Sequence, residues 1–522
     1  MALALAVGLV LRCWNLGGVP PALNQDEAVN GYDAYSLFLT GRDHLGHPFP
    51  IAGLESFGDW VSPLLTFLTA PAVGLFGLRV ETVRAVAAAL GALTIPAVYL
   101  LAVELFGRRL TGVLAAWLVA LLPWAIHLSR WAIPPATVPP LVALTLFALA
   151  RAAYRRGARG VVAAGLVAGL AVLGYPTMKL YVPLLLLAAL LVYGRDYLRV
   201  GAEALAYAAL VFLAVAGPNL YLSLRDPGGR ARFDQVALFA TGHAGLGDAL
   251  RQYASYFAPR FLFVAGDGDP MHAPPGFGVL PPALLPLLLA GLAWLVAEVA
   301  FPSVPGRRRS ALFLLAAVAL YPVPGALTVS SPHALRAASL IPLAAVVAAA
   351  GAVAVLDLAH SLLRAARPVL LRGALALLIA LGGVPLGLEL ARQYANYARD
   401  YPREVAPLFQ YGLAQMVAYA RAHEGEYDEI WFSGASAPYI YVLFYDRWPP
   451  SDAHASLVVR RAPPRFNRVD ALGKYHFGEP ADLGGRQLPV LYTVDEPAGG
   501  IAFAARGGPT PAHGRVLFIY RP

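Results

Sequence analysis

Long apolar runs recur along the chain up to about residue 391 and are separated by short polar connections. Most have about 18–25 residues, enough for a helix to cross a hydrocarbon core of roughly 30 Å. Backbone cannot stay unpaired in lipid, so the pattern predicts a helical bundle of about eleven spans. The runs lie near residues 1–16, 83–106, 110–128, 136–153, 159–174, 178–193, 200–222, 279–300, 310–328, 337–358 and 369–391.

Arginines are concentrated in every second connection between these apolar runs. Basic residues are enriched in cytoplasmic connections, so the arginine-rich loops predict a common cytoplasmic side that also holds the N-terminus. The outer side then carries two loops, 17–82 and 223–278, and the tail from residue 392. The basic loops include 108–109, 151–159, 195–199, 307–309 and 364–372.

Residues 61–78 are apolar enough to cross the membrane, but they contain Pro63 and Pro71. A crossing here would reverse the side of every later basic loop. We therefore predict a re-entrant or interfacial helix on the outer surface, which the two prolines also favour. The alternative is a true span, with one other span miscounted.

The tail differs in composition from the rest of the chain. A helix is expected over 403–424, and short strands at DEIWFS, PVLYTVDEP and RVLFIYRP, with SAPYIYVLFYDRW as a further helix or strand. This alternation predicts a soluble, extracytoplasmic α/β domain over 392–522, beside a transmembrane domain over 1–391.

Composition agrees with a membrane protein and narrows the function. The chain is 58% hydrophobic and only 14% charged, whereas soluble proteins have about 25% charged residues. The net charge of +9 is explained by arginines flanking apolar runs, so nucleic-acid binding is not predicted. The single cysteine, Cys13, excludes an intramolecular disulfide and a cysteine-based metal cluster.

The strongest candidate for chemistry is an acidic pair, Asp26 and Glu27, directly after the first run. A carboxylate close to the membrane surface is expected to be partly desolvated, which would raise its pKa and let it act as a general base. The alternative is that Asp26 caps a helix, with Glu27 in its first turn. The same segment offers Tyr32, Tyr35 and Arg42 as substrate-binding candidates.

Two further acidic segments lie in the outer loops. Glu55 and Asp59 are placed to orient a substrate or bind a cation, or they are solvated loop acids. Asp267 and Asp269 form an Asp-x-Asp pattern that is a weak metal-binding signal, with His272 beside it as a substrate-binding candidate. A turn-rich loop is the alternative for this second segment.

Basic residues in three short outer connections form another candidate group. Arg130, Lys179 and Arg336 would together suit the phosphate of a lipid-linked substrate, joined by His127 and by His333, a further substrate-binding candidate. Snorkelling of single side chains to the membrane surface is the alternative.

These motifs resemble those of GT-C glycosyltransferases, most closely glycosyltransferase family 39 and its relatives, the protein O-mannosyltransferases and the aminoarabinose transferase of lipid A. The resemblance covers residues 1 to about 390. It rests on the acidic pair after the first span, a P-L-L-T-F-type segment and Arg84 at the start of the next span. The motifs NQDEAVNGYDAYSLFLTGRD, GDGDPMHAPPGFG, SPHALRA and YIYVLFY add to it.

The resemblance implies a GT-C-type bundle with interfacial helices in the first outer loop. It implies an inverting glycosyltransferase of the cell membrane, which moves a sugar from a polyprenyl-phosphate donor to a protein, lipid or glycan acceptor at the outer face. Asp26 matches the family's catalytic aspartate, and Glu27 its neighbour. The D-x-E metal motif of oligosaccharyltransferases is replaced by HLSRWAIPP, which weakens metal dependence, although a divalent cation stays open as a cofactor.

Two other functions use the same kind of substrate. A transporter or flippase of lipid-linked sugars usually shows paired hydrophobic halves with broken helices, and no such duplication is visible here. A polymerase or ligase of surface glycans would favour paired arginines in a large outer loop, whereas those of residues 223–278 are scattered.

Overall fold

The chain divides into two compact units. The helical unit comprises residues 1–14, 87–224 and 233–398, and the mixed unit comprises 15–86, 225–232 and 399–522. The first outer loop therefore clusters with the tail, across the predicted domain boundary at residue 391. The structure, a computed structural model, describes residues 1–226, 237–241, 245–363, 368–433, 436–461, 467–478, 490–494, 502–506 and 516–520.

Helices form most of the described chain. In order they are α1 (Ala2–Cys13), α2 (Gln25–Thr40), α3 (Leu64–Phe76), α4 (Val80–Phe106), α5 (Arg109–Leu121), α6 (Pro123–Arg130), α7 (Val138–Arg155), α8 (Ala158–Val172), α9 (Met178–Leu198), α10 (Ala202–Arg225), α11 (Leu246–Ser255), α12 (Leu285–Ala300), α13 (Arg307–Leu320), α14 (Val323–Ala326), α15 (Leu340–Leu363), α16 (Pro368–Arg399), α17 (Tyr401–Val405), α18 (Leu413–Ala422), α19 (Pro438–Tyr445) and α20 (Pro450–Ser456). Short 3-10 or π turns lie at Pro134–Thr137, Leu238–Thr241, Arg260–Ala265, Pro282–Leu284, Leu335–Ala337 and Glu424–Glu426.

Within the described residues, seven helical segments are long and apolar enough to cross a membrane, and the bent pair α5–α6 would make an eighth. The protein is thus a mostly helical, multi-pass membrane protein. Helices overlap all the predicted apolar runs, but α1 and α8 are short, so the count of about eleven spans stays a prediction. The seven segments are Val80–Phe106, Pro134–Arg155, Met178–Leu198, Ala202–Arg225, Pro282–Ala300, Arg307–Ala326 and Leu340–Leu362.

Helix α3 covers the segment predicted to be interfacial. It has 13 residues, which corresponds to a length of about 20 Å, and Pro71 lies inside it. That length is below the roughly 30 Å of a hydrocarbon core. Its length therefore suits an interfacial helix better than a straight span, and its place at the outer surface stays a prediction.

The buried Arg12 of the helical unit contacts backbone carbonyls at the helix break before Pro123. Pro123 has no N–H, so the carbonyl of Val119 lacks its usual donor, and the chain bends by 58° between α5 and α6. Arg12 of α1 donates to Val119 O at 3.0 Å and to Ala120 O at 3.3 Å. A charged side chain within an apolar helix is therefore used to satisfy backbone oxygens at a helix end.

Two glycines let α12 and α15 touch backbone to backbone. A Cβ added at Gly291 would lie 2.1 Å from Val347 O, and one at Gly351 would lie 2.1 Å from Leu287 O. Small residues at such crossings are typical of helices packed in membranes, where close van der Waals contact stabilises association.

The mixed unit contains the strands found among the described residues. Strands β1 (Leu54–Ser56) and β2 (Asp59–Val61) form an antiparallel pair. The others are β3 (Glu429–Ser433), β4 (Leu457–Arg460), β5 (Arg468–Leu472), β6 (Tyr475–Phe477), β7 (Val490–Val494), β8 (Ala502–Arg506) and β9 (Val516–Tyr520). They form one seven-stranded sheet in the order β4-β5-β6-β3-β9-β7-β8, with β3 parallel to β6 and β9.

The tail agrees with the sequence in its strands but not in its first helix. The strands expected from DEIWFS, PVLYTVDEP and RVLFIYRP are confirmed as β3, β7 and β9. The single helix predicted over 403–424 is wrong, because the chain forms α17 and α18 instead. Gln410 (φ 56°) and Gly412 (φ 101°) adopt left-handed backbone between them, which a continuous helix cannot contain.

Candidate functional site

The N-terminus of α2 carries the acidic pair. Asn24, not Asp26, caps this helix: its side-chain oxygen accepts from the backbone N–H of Asp26 at 2.7 Å and of Glu27 at 3.4 Å. Glu27 Oε2 accepts from the N–H of Asn24 at 3.3 Å, which completes a capping box. The alternative in which Asp26 caps the helix is therefore wrong.

Asp26 lies in the first turn of α2 with an exposed side chain. The partial desolvation expected from the nearby membrane surface stays a prediction. The positive end of the helix dipole stabilises negative charge at this position.

Glu27 has a different environment from its neighbour. It is fully buried and is held by Arg84 of α4 through two hydrogen bonds of 2.8 Å, from Nε to Oε1 and from Nη2 to Oε2. The same guanidinium donates to Leu16 O at 2.9 Å, Pro20 O at 2.8 Å and Ala22 O at 2.5 Å. One buried arginine thus fixes the segment that leads into the turn of Asp26.

The middle of α2 packs closely against α19, the YIYVLFY motif. A Cβ at Gly31 would lie 2.6 Å from the Phe444 ring, so only glycine permits this approach. Tyr32, a substrate-binding candidate, is buried and donates its hydroxyl to Trp448 O at 2.8 Å. Tyr35 is half-buried, with its ring centroid 6.1 Å from that of Tyr32. Tyr32 therefore serves the packing of α2.

A buried acid–imidazole pair follows along α2. His44 Nδ1 lies 2.7 Å from Asp33 Oδ1, and His44 Nε2 lies 3.3 Å from the Tyr439 hydroxyl. Burial raises the pKa of Asp33, and His44 only partly offsets this. Burial alone would lower the pKa of His44, but the charge and hydrogen bond of Asp33 raise it. The two groups therefore titrate as a coupled pair rather than independently.

A second imidazole joins the loop after α2 to β1. His47 Nδ1 lies 2.9 Å from Asp43 Oδ2, and His47 Nε2 lies 3.5 Å from Glu55 Oε2. Glu55 is 6% exposed and accepts from Asn467 Nδ2 at 2.8 Å, so it is not a solvated loop acid. Asp59 on β2 is half-buried.

The pKa values of this second pair shift in opposite directions. The hydrogen bond with Asp43 raises the pKa of His47, and the negative charges of Asp43 and Glu55 raise it further. Burial and the positive charge of Arg461 lower it, but the net shift is upward. Burial would raise the pKa of Asp43, but the hydrogen bond with His47 lowers it. Protonated His47 therefore adds to the free energy of unfolding. This contribution is fully present below the unfolded-state pKa of His47, about 6.5, and is lost as the pH rises through the higher folded-state pKa.

We expect this loss to be visible as a fall in Tm between about pH 6 and about pH 8.5 that is larger in the wild type than in His47→Gln. The difference should correspond to about 1 kcal/mol or less, because His47 is partly exposed. Thermal unfolding of the purified chain at both pH values measures it, with His360→Gln, an exposed histidine of α15, as control. Parallel pH curves for His47→Gln and the wild type would refute the assignment.

The basic candidates make local contacts. Arg130 is buried and donates to the carbonyls of Leu11 at 3.1 Å and Arg12 at 3.0 Å, at the end of α1. Its guanidinium also lies 5.8 Å from the ring centroids of Trp14 and Tyr397. These contacts satisfy carbonyls that the last turn of α1 leaves without partners.

The other basic candidates are partnered by polar neighbours. Lys179 Nζ donates to Ser223 Oγ at 2.6 Å. Arg336 donates to Ser330 O at 2.9 Å and to the Thr328 hydroxyl. Arg42 is exposed and donates to a backbone carbonyl four residues ahead at 2.9 Å. Their role towards a phosphate stays a prediction.

The Asp-x-Asp segment is organised around histidines in the structure. Asp267 Oδ2 lies 2.6 Å from His272 Nδ1 and 3.8 Å from His333 Nδ1. Asp269 is exposed, with Oδ2 3.7 Å from His272 Nε2. Among the described residues, Asp267, His272 and His333 form a group close enough together to hold one metal ion, and the role of Asp269 in metal binding stays a prediction.

Sequence reasoning missed several of these residues. Asn24 had a local signal, since Asn three positions before Glu27 matches a capping box. His44 and His47 had none, because their partners are defined by the folded loop.

Comparison with known proteins adds the family context. Residues 61–222 match the family described as dolichyl-phosphate-mannose-protein mannosyltransferase. The structure resembles that of ArnT from Cupriavidus metallidurans, with 17% identity, a TM-score of 0.51, and coverage of 86% of this chain and 84% of that one. It also resembles AglB, the oligosaccharyltransferase of Archaeoglobus fulgidus, with 15% identity, a TM-score of 0.52, and coverage of 85% of this chain and 63% of that one. No curated protein sequence matches the chain.

At identities of 15–17%, this structural likeness shows the fold but not the reaction. The matched family and both structural neighbours are GT-C glycosyltransferases, and the chain has the fold of that superfamily.

Proposed function

We propose that the protein is an inverting membrane glycosyltransferase that takes a sugar from a polyprenyl-phosphate donor. The observation that carries this proposal is the turn of Asp26: an exposed carboxylate on a helix end fixed by the Asn24 cap and the buried Arg84–Glu27 pair. The neighbours support the donor class, since ArnT is seen bound to undecaprenyl phosphate and AglB in complex with a dolichol-phosphate.

Asp26 acts as general base in this proposal. It accepts the proton of an acceptor hydroxyl or amine while the acceptor atom bonds to the anomeric carbon. The bond between that carbon and the phosphate oxygen breaks on the opposite face, so configuration is inverted and the lipid phosphate leaves with the electron pair. Asp26 suits this role because the capping function is performed by Asn24 and not by Asp26.

Glu27 and Arg84 act as positioning residues. Both carboxylate oxygens of Glu27 accept from Arg84, and this supports a role for Glu27 in fixing the turn that carries Asp26. Basic side chains are needed to stabilise the leaving phosphate, and Arg130, Lys179 and Arg336 are the candidates that the sequence offers.

The proposed orientation follows the sequence. The predicted count of about eleven spans and the positions of the basic connections support a cytoplasmic N-terminus and an outer tail. Transfer would then occur at the outer face of the cell membrane. The acceptor is a protein, a lipid or a glycan.

The test is turnover of a panel of polyprenyl-phosphate sugars by the purified full chain, with and without simple acceptors. Release of the lipid phosphate is measured for the wild type, Asp26→Asn and Glu81→Gln, the last being an exposed acid of the same unit. Turnover by the wild type and Glu81→Gln, with donor binding but no turnover by Asp26→Asn, supports the proposal. Donor binding without turnover of any donor, together with donor translocation in vesicles, would favour a flippase instead.

A further inference from the structure

Two connections of the helical unit meet at the cluster of Asp267, His272 and His333. The first two residues lie in the GDGDPMHAPPGFG segment and the third in SPHALRA, so residues 66 positions apart are brought together. Potential ligand atoms of the three side chains all lie within 4.8 Å of one another. The proposed glycosyl transfer uses none of these residues.

The cluster is largely shielded from solvent. The side chains of Asp267, His272 and His333 are 5%, 12% and 18% exposed. The two imidazole rings stack with centroids 4.5 Å apart. Backbone N–H groups hold the carboxylate, from Ala334 to Oδ2 at 2.7 Å and from Asp269 to Oδ1 at 3.1 Å. Such outer hydrogen bonds orient ligand groups in metal sites.

We infer that these three side chains bind a divalent transition-metal ion of the zinc class. In a tetrahedral site with bonds of about 2.0–2.2 Å, ligand atoms lie about 3.3–3.6 Å apart. The distances from Asp267 Oδ2 to the two Nδ1 atoms, 2.6 Å and 3.8 Å, bracket that range. Shifts of less than about 1 Å by the side chains would place all three at bonding distance.

The donor set decides which metal is expected. Two imidazoles and one carboxylate suit zinc and its neighbours, whereas magnesium and calcium prefer oxygen ligands. Three protein ligands leave a fourth position for water, and Asp269 is placed to accept from the Nε2–H of His272, since its Oδ2 lies 3.7 Å from that nitrogen. The ion would join the segment of Asp267 to that of His333 and so stabilise both.

The experiment uses the full chain, purified in detergent, with any affinity tag removed and bound metal stripped by a chelator. After incubation with micromolar zinc and gel filtration, we expect about one zinc per chain by elemental analysis. His272→Ala and His333→Ala should lower zinc affinity at least about 100-fold in a competition titration with a zinc indicator. His360→Ala, an exposed histidine of the same unit, should bind zinc as the wild type does.

A further variant, Asp267→Asn, separates loss of zinc binding from loss of the fold. Asp267→Asn keeps the size of the side chain and should also lose zinc, while its elution profile stays that of the wild type. Zinc should raise the Tm of the wild type and of His360→Ala but not of the three cluster variants. Millimolar magnesium should not displace the ion. No retained zinc in the wild type, or equal zinc affinity in wild type and cluster variants, would overturn the inference, and neither result depends on glycosyl transfer.

Discussion

Replacing Asp26 with Asn is expected to lower the rate of sugar transfer by about 10²–10⁴-fold, the usual contribution of a general base. The amide has nearly the same shape but cannot take the acceptor's proton. Asn24 makes the cap and Arg84 holds the neighbouring Glu27, so the turn should remain folded. The measurements are kcat, the KM for the donor, and Tm, of which only kcat should change greatly.

Two further variants make this result specific. Asp26→Glu keeps a carboxylate and should recover part of the rate, whereas Glu81→Gln removes an exposed acid of the same unit and should have no effect. A rate for Asp26→Asn equal to that of the wild type would exclude Asp26 as the base. A rise in KM with kcat unchanged would instead assign Asp26 to substrate binding.

The helices of the membrane region could be predicted from the sequence because hydrophobic length has a direct physical meaning in lipid. The same reasoning identified the segment of α3 as unusual, since Pro71 interrupts its apolar run. Hydrophobic length alone could not decide how many helices cross the membrane, because α1 and α8 are short and the chain bends between α5 and α6.

The acidic pair could be predicted as a site, but the different environments and roles of its two residues could not. Asp26 and Glu27 are adjacent in sequence, yet one is exposed and the other is fully buried. That difference arises from Arg84, 57 residues away, and distant pairings leave no local pattern. The same holds for Asp267 and His333, where the sequence indicated an aspartate pair and the fold supplied histidines.

The break between α17 and α18 shows a limit of another kind. Hydrophobic periodicity continues through residues 403–424, so a single helix was the natural prediction. Gly412 gave a local signal for a break, but Gln410 gave none, because left-handed backbone is uncommon for that residue.

The second large effect is expected for Arg84→Met, which removes one partner of a fully buried ion pair. The carboxylate of Glu27 would then be buried without its counter-ion, and three backbone carbonyls would lose their donor. Breaking a buried pair in this way costs about 3–5 kcal/mol. We expect a lower yield of folded protein and a markedly lower Tm in thermal unfolding.

The double variant Arg84→Met/Glu27→Gln separates charge from packing. It removes the buried charge as well as its partner, so it should recover part of the Tm lost in Arg84→Met. Arg84→Lys keeps the charge but cannot make two parallel hydrogen bonds to Glu27 while also reaching Leu16, Pro20 and Ala22. It should therefore fold and yet lose kcat, because the turn of Asp26 is less well fixed. If Arg84→Met unfolds at the wild-type temperature, the ion pair does not stabilise this segment, and the positioning role of Glu27 fails with it.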